Sequence, residues 1–130
     1  MAWYLDTSAL VKLVVAEAET PALWRWLEAD DRRPVSCDLG VTELRRAVGR
    51  GSPERIAMAR LVLDTLTVVA LARNTFLWAA QLDPPEMRSL DALHLAAALD
   101  LGDSLDGIVA YDVRLTAAAG RHGIPVVAPA

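Results

Sequence analysis

The chain has 130 residues, 54% hydrophobic and 23% charged, with a net charge of −4 and a mean hydropathy of +0.28. It is long enough to build one domain, expected over residues 1–130, and too apolar to stay disordered. Its acidic balance excludes a protein that holds nucleic acid mainly through a basic surface, although a bound divalent cation can reverse the local sign.

The single cysteine, Cys37, rules out an internal disulfide and a cysteine-rich zinc site. It reads as a small apolar residue at a strand end. No apolar run approaches the ~20 residues of a membrane span. The N-terminus lacks a charged stretch followed by a long apolar one. A cytoplasmic chain without membrane contact is the expectation.

Short apolar runs at 2–5, 34–37, 68–71, 108–111 and 125–128 are too short for helices, and most are rich in Val or Ile. They predict strands buried on both faces. Between them lie segments with helical spacing. Val41, Leu44 and Val48 fall on one face, as do Ile56, Ala59 and Leu63. Thr20-Pro21 and Ser52-Pro53 predict capped helix starts, with Pro at the first helical position. Ser89 is placed to cap "LDALHLAAAL", and Gly102 to end it. The predicted order is strand, two helices, strand, two helices, strand, two helices, strand, helix, strand. That alternation implies a parallel sheet covered on both faces, with ligands bound beyond the carboxyl ends of its strands.

Four acids stand beside apolar sequence. Asp6 follows the first strand and Asp112 the fourth; Glu43 lies early in the helix after the second; Asp91 opens the apolar helix. Taken singly, Asp6, Asp91 and Asp112 fit helix N-termini, stabilised by free N–H groups and the macrodipole. Together, the fold would converge all four on one edge, where they repel and raise one another's pKa values. Mg²⁺ or Mn²⁺ would remove that penalty and suit phosphate chemistry. No P-loop, GxGxxG or HExxH motif competes.

"YLDTSALVKL", the glutamate of "VTELRRAV", "RSLDALHLAAAL" and "IVAYDVRLTAAAGRHGIPV" resemble the four acidic motifs of PIN-domain nucleases, and more closely those of VapC toxins from bacterial toxin–antitoxin pairs. The resemblance runs in order over essentially the whole chain. It implies a three-layer α/β/α domain whose five-stranded parallel sheet has order 3-2-1-4-5. It also implies Mg²⁺- or Mn²⁺-dependent cleavage of RNA, inhibition by a small VapB-like antitoxin, and a homodimer. Asp6, Glu43, Asp91 and Asp112 become the catalytic and metal-binding acids. Ser8 and Thr7 become their supports, with Ser8 holding a water or the Asp6 carboxylate. Relatives often carry Thr or Ser two residues before the last acid; Ala110 stands there instead, removing a hydroxyl near Asp112.

His94, Arg46 and Arg114 are candidate substrate contacts; a satisfied helix histidine is the plainer reading of His94. Arg45, Arg46, Arg50, Arg55 and Arg60 could meet phosphates, antitoxin acids or only solvent. Trp24 and Trp26 cannot share a helix face, so one of them is a candidate for antitoxin contact. Two other classes compete with the nuclease reading. A phosphoryl switch or phosphatase lacks its residues: Lys12 is the only lysine, and Ser8 stands where a second aspartate is needed. A catalytically idle PIN-like binding module, or a nuclease for structured DNA, would keep the same fold.

Overall fold

Ala2–Leu5 (β1) is the central strand of the sheet. The computed structural model describes residues 2–130. Thr7–Val14 (α1) and Thr20–Glu28 (α2) follow β1, then Arg33–Cys37 (β2), Asp38–Val48 (α3) and Pro53–Thr65 (α4). Next come Thr67–Val69 (β3), Arg73–Ala79 (α5) and Ser89–Leu99 (α6). Leu105–Val109 (β4), Val113–Arg121 (α7) and Val126–Val127 (β5) complete the chain. All strand pairs are parallel, in the order β3-β2-β1-β4-β5. The expected topology and element order are those observed.

Strand alternation sorts side chains into two cores. Ala2 and Tyr4 of β1, Val35 and Cys37 of β2 and Ile108 of β4 pack under α5, α6 and α7. Leu5 and Val109 point the other way, toward Leu10, Leu23, Leu44 and Val62 of α1 to α4. Each large apolar side chain buried this way contributes about 1.5–3 kcal/mol. Helix α6 lies against the sheet because Ala92, Ala96, Ala97 and Ala98, all buried, keep it thin.

Every strand but β1 differs from expectation at a boundary; β2 begins one residue early, at Arg33, and β4 ends at Val109. β4 begins at Leu105, not 108, because Leu105 and Gly107 pair with β1 despite the polar Asp106 between them. β3 ends at Val69 and spans only Thr67–Val69. β5 is the two residues Val126–Val127. The capping readings divide as well. The Ser52 hydroxyl accepts from Arg55 N–H at 3.3 Å. Thr20 does not cap: its hydroxyl donates to Lys12 O at 2.7 Å, tying the start of α2 to α1. Ser89 makes no capping bond; Arg88 holds the cap position. Gly102 adopts φ +56°, a left-handed turn, but three residues past the end of α6, whose C-cap is Asp100.

Trp24 and Trp26 are both half-buried against the α1–α4 core. Trp26 meets Trp3 edge-on at 4.8 Å and carries Arg32 over its face at 4.2 Å. The exposed tryptophan is instead Trp78, on α5.

Gly107 marks the tightest point of the sheet. A Cβ there would lie 2.5 Å from the Trp3 ring and 2.6 Å from the carbonyl of Pro125. The carbonyl is backbone and cannot swing away, so Gly107→Ala should destabilise the fold by about 1–3 kcal/mol. The urea midpoint measures this, and an unchanged midpoint would contradict the packing.

Candidate active site

The carboxyl edge of the sheet gathers the predicted acids. Asp6 immediately follows β1, and its N–H donates to Val109 O of β4 at 3.2 Å. Asp112 follows β4 and opens α7. Asp91 stands in the first turn of α6, and Glu43 in the first half of α3.

Asp6 is 4% exposed. Its Oδ1 accepts from Ser8 Oγ at 2.6 Å and from Ala9 N–H at 3.0 Å. It therefore does cap α1, as the simpler reading of a first-turn acid allowed. Asp112 caps α7 in the same way, through Oδ1, from Arg114 and Leu115 N–H. Glu43 also commits a single oxygen: Oε1 accepts from Thr7 Oγ1 at 2.7 Å and pairs with His94 Nε2 at 2.6 Å. Each of these acids thus spends one oxygen on the fold. The second oxygen of each takes no protein hydrogen bond among the described residues, and no buried side-chain N or O atom there lacks a partner. The free oxygens are therefore open to solvent.

Electrostatics separates the four into two groups. Burial pushes the Asp6 pKa up; Ser8, Ala9 and His94 oppose this, and Asp112 adds to it. Burial and then Asp112 raise Asp91, against His94, Arg88 and Arg114. Asp112 is thus the shared neighbour of Asp6 and Asp91. Glu43 goes the other way: burial works against its charge, but His94 and Thr7 outweigh it and lower the pKa.

His94 is 3% exposed. Burial fits the plainer reading, a satisfied helix histidine, over direct substrate contact: the ring supports Glu43. Its Nδ1 lies 2.7 Å from Tyr4 OH, which donates to Cys37 Sγ at 3.1 Å. With Tyr4 donating to Cys37 and Glu43 ionised, both ring nitrogens donate, which is the imidazolium form. Burial disfavours that charge, but Cys37 and Glu43 raise the pKa to about 9. Tyr4 and Cys37 were not among the sequence candidates. Strand parity is the signal that could have found them: Tyr4 shares a face with Asp6, and Cys37 lies next to them on β2.

Ser8 fulfils its expected role on the Asp6 carboxylate and accepts Tyr111 N–H at 2.9 Å, joining the ends of β1 and β4. Arg46 is exposed one turn beyond Glu43 on α3 and makes no bond to the acids. Arg114 is exposed beside Asp91 and Asp112.

Among the described residues, no three Asp, Glu, His or Cys side chains close tightly enough to enclose a metal ion. The donor chemistry nonetheless fits Mg²⁺ or Mn²⁺. Such ions keep several waters and take only one or two direct carboxylates, with the rest of the shell left to substrate phosphate. Asp6, Asp91 and Asp112 are hard oxygen donors, and the penalty that Asp112 imposes on both neighbours is one a bound cation would remove.

A five-stranded parallel sheet with three acids at the switch between β1 and β4 defines a class of nuclease-like α/β domains. The PIN domain family model matches residues 3–127, and the chain belongs to that family. Its relatives are of the VapC type. Ribonuclease VapC47 of Mycobacterium tuberculosis is 38% identical over 97% of this chain and 96% of the relative. Ribonuclease VapC35 of the same species is 43% identical over the same shares. Two solved structures share the fold. Mycobacterium tuberculosis VapC20, a sarcin-ricin loop cleaving toxin, superposes with a TM-score of 0.75 at 18% identity over 99% of this chain and all of that one. Rickettsia felis VapBC2, bound to a DNA fragment from its promoter, gives 0.78 at 12% identity over the full length of both.

The His94 charge sets a pH dependence. Its folded pKa of about 9 stands above the ordinary 6.5. Its stabilising contribution is therefore complete below pH ~6.5 and lost as pH rises through about 9. In EDTA, the melting temperature should fall across that window. His94→Gln should melt lower at pH ~6 and show a flatter decline. A variant profile parallel to the wild type would remove His94 from this role.

Proposed function

We propose that this chain is a VapC-type toxin, an endoribonuclease that cleaves RNA at a site of Asp6, Asp91, Asp112 and Glu43 loaded with Mg²⁺ or Mn²⁺. The observation that carries the reading is the convergence of Asp6, Asp91 and Asp112 in a chain 38–43% identical to ribonuclease VapC proteins. When bound, the cation supplies Lewis-acid stabilisation of charge developing on the phosphoryl group and eases deprotonation of the attacking water.

The protein residues do the positioning. Asp6 and Asp91 would hold the cation, with Asp112 beside both. Ser8 fixes the Asp6 rotamer, so the free Oδ2 faces the site. Thr7 and His94 pin Glu43 through Oε1 and leave Oε2 to orient a water for in-line attack. The Glu43–His94 pair is internally neutralised, so Glu43 stays ionised and can only accept. Products should carry 5′-phosphate and 3′-hydroxyl ends.

A small VapB-like antitoxin is the proposed partner, as in the complex of the Rickettsia structure. Trp24 and Trp26 are already committed to packing. The better docking face is α3–α4, where Ile56 and Leu63 line a groove with Arg45 and Arg60, and Leu61 is 60% exposed. A homodimer is proposed through α5, where Phe76, Leu77 and Trp78 are all exposed. Phe76→Glu combined with Trp78→Glu should shift the protein to monomer mass in light scattering; an unchanged mass would place the contact elsewhere.

Metal and activity test the central reading together. Millimolar Mn²⁺ should raise the melting temperature, by an amount equivalent to about 2.7 kcal/mol at a hundredfold excess over Kd. Asp6→Asn should reduce that shift. Wild-type protein should cut a limited set of RNAs, and Asp91→Asn should cut them at least ~100-fold more slowly. A Mn²⁺ shift without cleavage would favour the idle binding module; equal cleavage by both proteins would point to a different active site.

A further inference from the structure

Beside Asp91, a groove of about 420 Å³ runs between the start of α6 and the face of α7. Arg88 stands on one wall, and Arg114 and Arg121 on the other. The two α7 arginines are seven residues apart, so they share a helix face about 10 Å apart along its axis. Ala117 lies between them, too short to close the channel. All three arginines are exposed. Among the described residues none is within ion-pair distance of a carboxylate, in a chain with 17 acids. The only other acid lining the groove besides Asp91 is Glu86.

We infer that this groove binds the sugar–phosphate backbone of single-stranded RNA on one side of the bond to be cut. This rests on the nuclease reading above and adds the path of the substrate. Unpaired guanidinium groups grip phosphate oxygens with two parallel hydrogen bonds. The spacing of Arg114 and Arg121 matches about three stacked nucleotides at roughly 3.4 Å each. A row of cations ending at the acids resolves a conflict. A chain of net charge −4 repels RNA overall, and the groove sets three cations within reach of the site. Contacts of this kind set register and orientation but do not read sequence. The groove would therefore position any strand, leaving the choice of RNA to other residues.

The test compares Arg121→Ala, Arg121→Glu and a double Arg88→Ala/Arg121→Ala variant with Arg25→Ala on α2, across the sheet. A fluorescein-labelled single-stranded RNA is titrated in EDTA at several salt concentrations, and cleavage is followed separately in Mn²⁺. Arg121→Ala should weaken binding roughly 3- to 10-fold and lower the salt slope by ~0.7 for each phosphate it no longer neutralises. The loss in cleavage should fall on KM rather than kcat. The double variant and Arg121→Glu should bind more weakly still, and Arg25→Ala should match wild type. Arg121 is exposed, so its variants should melt with the wild type. Wild-type cleavage with Arg121→Ala indistinguishable from Arg25→Ala would overturn the groove and leave the nuclease standing. If wild type neither binds nor cuts RNA, both fall. Weakened antitoxin binding with intact RNA binding would assign the groove to the partner and overturn the inference.

Discussion

The positive charge on buried His94, lodged beneath the carboxylates, is the interaction that orders the rest of the site. It pairs with Glu43, meets Tyr4, and opposes through space the rise in the pKa of Asp6 and Asp91. A lone imidazolium at this depth would shed its proton, since desolvation opposes the charge. Cys37 and Glu43 prevent that. Glu43 in turn becomes a fixed anion, held by Thr7 on the same oxygen. The cluster is therefore a closed electrostatic unit, and the three aspartates above it form the open one. Removing one member of the closed unit leaves a buried charge without its partner, which costs more than the pair contributes.

Much of this fold was legible in the sequence because parallel strands buried on both faces stand out as short runs of Val, Ile and Ala. The errors fall where that signal fades. Asp106 and Gly107 hide the start of β4, since nothing in "LDG" announces a strand; pairing with β1 imposes it. Thr20 and Ser89 have the residue types of caps, but tertiary partners and geometry decide otherwise. Thr20 finds a carbonyl on α1 that local sequence cannot reveal.

The acids were legible for a different reason: an unexplained carboxylate in apolar surroundings is a conspicuous signal. In sequence, capping and convergence look like rival explanations of the same residues. They are compatible, because each capping acid uses one oxygen and keeps the other. The support layer is less visible. Cys37 has the look of ordinary core, and Tyr4 of ordinary strand. Their role depends on β2 lying beside β1 under α6, a relation that exists only once the sheet is assembled. The spacing of Asp91 and His94 does signal a shared face, but not that the ring points inward to Glu43.

The bond from Tyr111 N–H to Ser8 Oγ joins residues 103 positions apart. β1 precedes β4 in the chain, and the two cannot pair until the elements between them have been made. Contacts of such separation form late and slowly. A nascent chain that stops short of Asp112 holds Asp6 with no neighbour on the β4 side. Asp6 and Asp112 therefore become neighbours only once β4 has paired with β1, so the site is a product of the closed sheet and of no single segment.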